Sequence, residues 1–324
     1  MWSPNSVVPA FCLLLIICAA TEVIGIIGGR YARLGQFPYH AILLEHDWQF
    51  GGGSLVSEFF VLTCGHCVTT FDKDICTVLL GVIDLTDTNG QMIPPQEFIS
   101  HPQFNATSLD YDIGLIRLSR AAEINQFVKT IGMAFANATY SVNTVAHVSG
   151  HGEMDAYHTL PECLKYAYVP LWDKDNCTIF DRVTDHGMVC AGFDDAQNNP
   201  CPGDSGGGLV VNNIVFAVFF MDYRCGEPHY PTVYQFVPYH RQWIDQVMHS
   251  QFVRKKKNFW NSTMNAHNVR HKNFIIGTSG LSAGDAKTFN VEKLINHPNF
   301  NYESRDDKDI DIQQHSPLSA VTVS

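Results

Sequence analysis

The chain has 324 residues, of which 45% are apolar, enough for one large all-β domain or two smaller ones. Its formal net charge of −11 argues against the basic face that nucleic-acid binding requires. The one long apolar run, Phe11 to Ala20, is too short to cross a bilayer.

That run stands close to the first methionine and is followed by small residues. Residues 1–25 are therefore expected to be a secretory signal peptide, cut after Ala20 or after Gly25. No membrane association is expected once the leader has gone. Ten cysteines fit an oxidising compartment; Cys12 and Cys18 would leave with the leader, and the remaining number is even. Asn105, Asn137, Asn176 and Asn261 each begin an Asn-X-Ser/Thr triplet, so they are candidate glycosylation sites.

Beyond the leader, short apolar or alternating runs are separated by Gly, Pro, Asn and Asp. Ala41–Leu44, Phe59–Thr63, Thr77–Leu80, Ile113–Leu118, Val145–Ser149 and Ile214–Phe220 have the length and composition of strands. Helical spacing comes only at the end, where Val237, His240, Trp243, Ile244 and Val247 share one face. Many short strands closed by one helix predict an all-β barrel architecture over residues 26–250.

Arg254-Lys255-Lys256-Lys257 then marks a charged linker, and the remainder repeats spacing from the first part of the chain. Gly277 precedes His297 as Gly81 precedes His101, and His297-Pro298-Asn299-Phe300-Asn301 echoes His101-Pro102-Gln103-Phe104-Asn105. Residues 251–324 are expected to be a linker and a partial, non-catalytic repeat.

The chemistry is concentrated in three places. Gly203-Asp204-Ser205-Gly206-Gly207 offers a hydroxyl on a glycine-rich turn whose N–H groups can face a developing oxyanion. A serine hydroxyl is a weak nucleophile and needs a base, which Thr63-Cys64-Gly65-His66-Cys67 supplies. Asp110-Tyr111-Asp112-Ile113-Gly114-Leu115 supplies a carboxylate to orient that base, so the order along the chain is His66, Asp112, Ser205.

With these motifs, residues 26–250 resemble the chymotrypsin/trypsin-like secreted serine proteases. Ile26-Ile27-Gly28-Gly29 is similar to that family's mature N-terminus. Cys201 through Gly207 resembles its nucleophile motif, and Pro231-Thr232-Val233-Tyr234 with Trp243-Ile244 resembles its last strand and helix. The resemblance implies two antiparallel six-stranded β-barrels with a C-terminal helix and a cleft between the barrels. It implies a serine endopeptidase with the triad His66, Asp112 and Ser205, and an oxyanion hole made by the N–H groups of Gly203 and Ser205. No cofactor and no metal would be needed. The partners would be protein or peptide substrates and, as a class, protein protease inhibitors. A non-catalytic homologue that binds through the old cleft is the competing reading, and the intact triad favours the enzyme.

The resemblance also implies that a free amine on Ile26 pairs with Asp204. Gly25 precedes that isoleucine where relatives carry Arg or Lys, so a signal-peptidase cut after Gly25 would expose the amine directly. Disulfides Cys177–Cys190 and Cys201–Cys225 follow from the same resemblance. Gly51 stands where the usual partner of Cys67 would be, which leaves Cys64, Cys67, Cys76 and Cys163 with three possible pairings. A metal site on Cys64, His66 and Cys67 is the rival to a disulfide there, and secretion speaks against it. In the substrate pocket Asn199 takes the floor, while Asp222 and Thr232 replace glycines at the wall. Small or medium neutral side chains are expected there, although Asp222 offers a charge to a basic one.

Overall fold

A computed structural model describes residues 26, 29–154, 158–173, 177, 187–193, 199–221, 231–250, 273–276 and 287–290. The chain divides into two compact units, Met1–Gln251 and Phe252–Ser324.

In the first unit one antiparallel sheet is built from β2 (His40–Glu45), β3 (Trp48–Ser57), β4 (Phe60–Thr63), β5 (Cys76–Leu80), β6 (Gln91–Ile93), β7 (Pro95–Ser100) and β8 (Gly114–Leu118). Its order is β6-β5-β2-β3-β4-β8-β7. The two edge strands β6 and β7 are consecutive in sequence, interrupted at Pro94, which has no N–H for a ladder. Counted as one broken strand they close the sheet on itself, so seven short strands make a six-stranded barrel.

The second sheet contains β1 (Arg30–Tyr31), β9 (Gly132–Met133), β10 (Val145–Gly150), β11 (Lys165–Pro170), β12 (Met188–Ala191), β13 (Gly208–Val211), β14 (Ile214–Met221) and β15 (Thr232–Phe236). Its main path runs β1-β11-β10-β13-β14-β15-β12. A bridge between Leu171, just past β11, and Ala191 at the end of β12 joins the last strand of that path back to β11 and closes a second barrel. The two-residue strands β1 and β9 are additions; β9 pairs in parallel with β14.

Every strand expected from apolar alternation lies within or overlaps an observed one. The strands missed include β3, whose sequence Gly51-Gly52-Gly53 hides a buried run. A Cβ at Gly51 would sit 2.8 Å from the Ser205 carbonyl oxygen, so glycine is needed where the second barrel's loop rests on the first.

A helix over residues 237–250 ends the unit. Val237, His240 and Ile244 are buried along it, and Trp243 and Val247 are partly so. They join a core cluster holding Leu62, Ile113 and Leu115 of the first barrel with Val210, Val215 and Val218 of the second. Burying Val237 and Ile244 contributes roughly 1.5–3 kcal/mol each. The three motifs singled out in the sequence flank this seam, because β4, β8 and β13 all reach it. No helix among the described residues is long and apolar enough to cross a membrane.

In the second unit the described residues form an antiparallel pair, β16 (Asn273–Ile276) and β17 (Lys287–Asn290), with Phe274 opposite Phe289. The remaining residues of the expected repeat, the linker and the leader lie outside the described residues.

Candidate active site

Strand pairing brings the first two motifs together. β4 and β8 run antiparallel with Thr63 opposite Gly114, so His66 just beyond β4 meets Asp112 just before β8. His66 Nδ1 lies 2.7 Å from Asp112 Oδ2, and the His66 backbone N–H donates to Asp112 Oδ1 at 2.6 Å. Asp112 is fully buried, whereas the His66 side chain is 28% exposed and keeps its outer edge toward solvent. Two left-handed residues, Leu109 and Tyr111, steer the chain into Asp112. The Tyr111 ring stacks on His101 with centroids 4.8 Å apart, and its neighbour His240 is anchored by Gln235.

Ser205 comes from the loop before β13. Its carbonyl accepts from the Gly52 N–H on β3 at 2.8 Å, which fixes it against the first barrel. Along the nucleophile loop most N–H groups are engaged. Cys201 donates to Asp204 Oδ2, Asp204 to the Cys201 carbonyl, Gly206 to Phe219 and Gly207 to Asp204. Among the described residues the N–H groups of Gly203 and Ser205 have no acceptor. Gly203 takes φ +93°, a left-handed backbone that aims its amide away from the loop interior. These two free donors have the character of an oxyanion hole.

Ser205 Oγ makes no hydrogen bond among the described residues. His66 Nε2 faces Cys64 Sγ at 3.5 Å and Cys67 Sγ at 3.8 Å instead. Those sulfurs are joined in a Cys64–Cys67 disulfide, a ring that encloses the histidine. Cys177–Cys190 is formed as well, Cys163 and Cys201 are disulfide-bonded, and Cys76 is a buried free thiol. Cys64, Cys67, Cys76 and Cys163 therefore do not make two bridges among themselves. Cys225, expected to pair with Cys201, lies outside the described residues. Cys64, His66 and Cys67 have metal-ligand spacing, but with both sulfurs in a disulfide they present no thiolate to a metal.

Asp204 points inward. Its carboxylate accepts from the N–H groups of Gly152 at 2.7 Å and Cys201 at 3.0 Å. A Cβ at Gly150 or Gly152 would strike that carboxylate, so both glycines make room for it. No cation faces it among the described residues, and burial pushes its pKa up to about 6. Ile26 is 1% exposed and packs in the second barrel's core with Val148, Phe219 and Tyr234.

In the expected pocket, Asn199 is buried and its Oδ1 accepts from the Phe193 N–H at 3.1 Å. Thr232 lies opposite Ala191, fully buried, with an Oγ1 that has no partner. Asp222 lies outside the described residues.

Two closed β-barrels, with a histidine–carboxylate pair from one and a serine turn from the other, define a hydrolase of the double-barrel serine type. The trypsin family profile matches residues 26–244. Trypsin-3 of Salmo salar is 33% identical over 229 residues, covering 69% of this chain and 93% of that protein. Trypsin of Sus scrofa is 32% identical over 230 residues, covering 69% and 95%. Among solved structures, neuropsin, a serine protease expressed in the limbic system of mouse brain, superposes with a TM-score of 0.63 at 30% identity. That match covers 68% of this chain and 98% of neuropsin. The chain belongs to the trypsin family and is a serine-type endopeptidase.

Sequence reasoning missed Gln49 and Gly52, which grip the nucleophile loop, and Gly152, which holds Asp204. None carries a motif of its own. The Cys-Gly-His-Cys spacing was the one available signal for the disulfide around His66.

Proposed function

We propose that this protein is a secreted endopeptidase that cleaves peptide bonds through an acyl-enzyme on Ser205. The observation that carries the reading is the pair of unengaged N–H groups on Gly203 and Ser205, in a loop where neighbouring amides are bonded. Ser205 Oγ attacks the scissile carbonyl carbon while His66 Nε2 takes its proton. Asp112 accepts from Nδ1–H, keeps the ring in the tautomer with a free Nε2 lone pair and stabilises the imidazolium that forms. The carbonyl oxygen becomes an oxyanion between the two free amides. As the intermediate collapses, Nε2–H protonates the leaving amine. Water then attacks the acyl carbon with the same base, and Ser205 recovers its proton.

Ile26 supplies the remaining part. Once its amine is free, the ammonium folds against Asp204 and offsets the burial that raises the pKa of its carboxyl to about 6. Neither Asn199 nor Thr232 carries a charge, so neutral small or medium side chains precede the cut, and Asp222 would offer a charge to a basic one. Substrates are proteins or peptides, and protein protease inhibitors would occupy the same cleft. Residues 26–250 form the catalytic unit, and residues 251–324 a partial repeat without chemistry.

A fluorophosphonate probe tests the reading. The protein beginning at Ile26 should be labelled at Ser205, and Ser205→Ala should abolish both labelling and turnover. Equal turnover in that variant would remove Ser205 from the chemistry.

A further inference from the structure

The two carbonyls that flank the unengaged amides are held from across the seam. The Ser205 carbonyl accepts from the backbone of Gly52, which any residue there could supply. The Gly203 carbonyl accepts at 2.7 Å from Gln49 Nε2, a side chain at the start of β3 in the other barrel. The second hydrogen on that nitrogen goes to the Gly51 carbonyl at 3.0 Å. Gln49 is only 7% exposed, and its Oε1 is buried without a partner. The amide orientation is thereby fixed, since turning it would press Oε1 against two carbonyl oxygens.

An orphaned buried acceptor is costly, and an apolar side chain would fill the same space without that cost. What the amide adds is control of Gly203. A glycine at φ +93° has no side chain to restrict its two torsions, so its N–H points wherever the flanking peptides allow. One of those peptides is fixed by the Glu153 N–H on the Pro202 carbonyl at 2.8 Å. The other is fixed by Gln49. A donor on the Pro202 carbonyl also polarises the peptide that carries the Gly203 N–H, which strengthens it as a donor.

We infer that Gln49 is a positioning residue of the oxyanion hole: its Nε2, donated across the barrel seam to the Gly203 carbonyl, holds the Gly203 N–H toward the reacting oxygen. This rests on the protease reading above. Gln49 touches no substrate, so it acts on the transition state through Gly203, where the oxyanion is fully developed, and hardly at all on the bound ground state.

The test uses the full chain processed to Ile26, with Gln49→Leu, which keeps bulk and loses the donor, and Gln49→His, whose ring N–H has a similar reach. Gln49→Leu should lose on the order of tenfold or more in kcat, within the range of a damaged oxyanion hole, with KM nearly unchanged. Affinity for a peptidyl trifluoromethyl ketone, which forms a tetrahedral oxyanion on Ser205, should fall by the same factor, and Gln49→His should recover most of both. Unchanged ketone affinity, or a loss confined to KM, overturns the inference. Where Gln49→Leu does not fold, Gln49→Met, of similar length and without a donor, takes its place, and full ketone affinity in it has the same force. An inactive, unlabelled parent would overturn the protease reading instead. The clamp would then be read from amide hydrogen exchange: faster exchange at Asp204 and Gly206 in Gln49→Leu supports it, and unchanged exchange refutes it.

Discussion

The two barrels bring their halves of the site to different stages of completion. In the first, His66 and Asp112 are joined by two short hydrogen bonds, and a disulfide closes around the histidine. In the second, the Ser205 hydroxyl has no partner among the described residues, two amides lack acceptors and a buried carboxyl lacks a counter-charge. The His66–Asp112 pair is finished by the fold itself. The Ser205 side keeps polar groups without partners among the described residues, which in the proposed reading substrate and a new N-terminus would satisfy, and a buried polar group kept unsatisfied costs stability. The difference separates what folding completes from what binding and processing complete.

The sharpest way to break this comparison is to undo the finished half. Asp112→Asn replaces an acceptor on Nδ1 with an amide that favours the wrong tautomer. A fall in kcat of roughly 10⁴-fold is expected, by analogy with the same change in other triads. Steady-state kinetics on a peptide ester would check it, and a loss of less than tenfold would mean the His66–Asp112 pair is not the working base.

Completing the unfinished half comes next in size. Release of Ile26 as a free amine should place an ammonium beside Asp204, and breaking a buried pair of this kind costs about 3–5 kcal/mol, or roughly 10²–10⁴-fold in the ordered state. Acetylating that amine, or changing Asp204→Asn, should therefore remove most activity. N-terminal sequencing of secreted material decides the route. Full activity in protein that starts at Thr21 would show that the amine is not required.

Buried groups in the uncut chain also titrate in opposite directions. Burial pushes His40 down to about 3 and His151 down to about 4, with His40 packed against His151 and bonded to Ser149. Depressed histidines bind protons more readily when unfolded, so their contribution is present above about pH 6.5 and is lost as the pH falls toward their folded values. For His151 that amounts to about 3 kcal/mol. Asp204 runs the other way: raised to about 6, it penalises the fold above that pH and is relieved as it protonates on the acid side. With His240 also pushed down to about 3, the histidines prevail. Urea midpoints should fall between pH 6.5 and 4, and His151→Phe should flatten the curve. A midpoint that rises across this window would mean Asp204 dominates.

The smallest effect is expected at the C-terminal end. A chain ending after Ser250 keeps every residue placed at the site above, so stability should change by no more than about 0.5 kcal/mol and kcat should not change. Lost folding or turnover would make residues 251–324 part of the enzyme.

Much of this was legible in one sequence because the signals are local. Alternation in His40–Glu45 and Ile214–Met221 marks strands wherever their partners lie, and the apolar face of residues 237–250 marks a helix. Motif order gave His66, Asp112 and Ser205 as a set. What escaped is what depends on neighbours distant in sequence. Gly51-Gly52-Gly53 reads as a strand breaker, yet it is strand because the Ser205 loop and Val61 lie where side chains would be. Gln49 reads as an ordinary polar residue until Gly203, 154 positions away, is set against it.

The sequence by itself determined six of the strands, the terminal helix and the residue types able to do chemistry, since periodicity and side-chain type act over a few positions. Tertiary structure alone decided that Cys64 pairs with Cys67 and leaves Cys76 free. Among the described residues it also leaves the Gly203 and Ser205 amides without an acceptor and the buried Asp204 without a counter-charge. Each of these is a question of which partner arrives within hydrogen-bond or bonding distance, and only closure of both barrels along a shared seam brings those partners together.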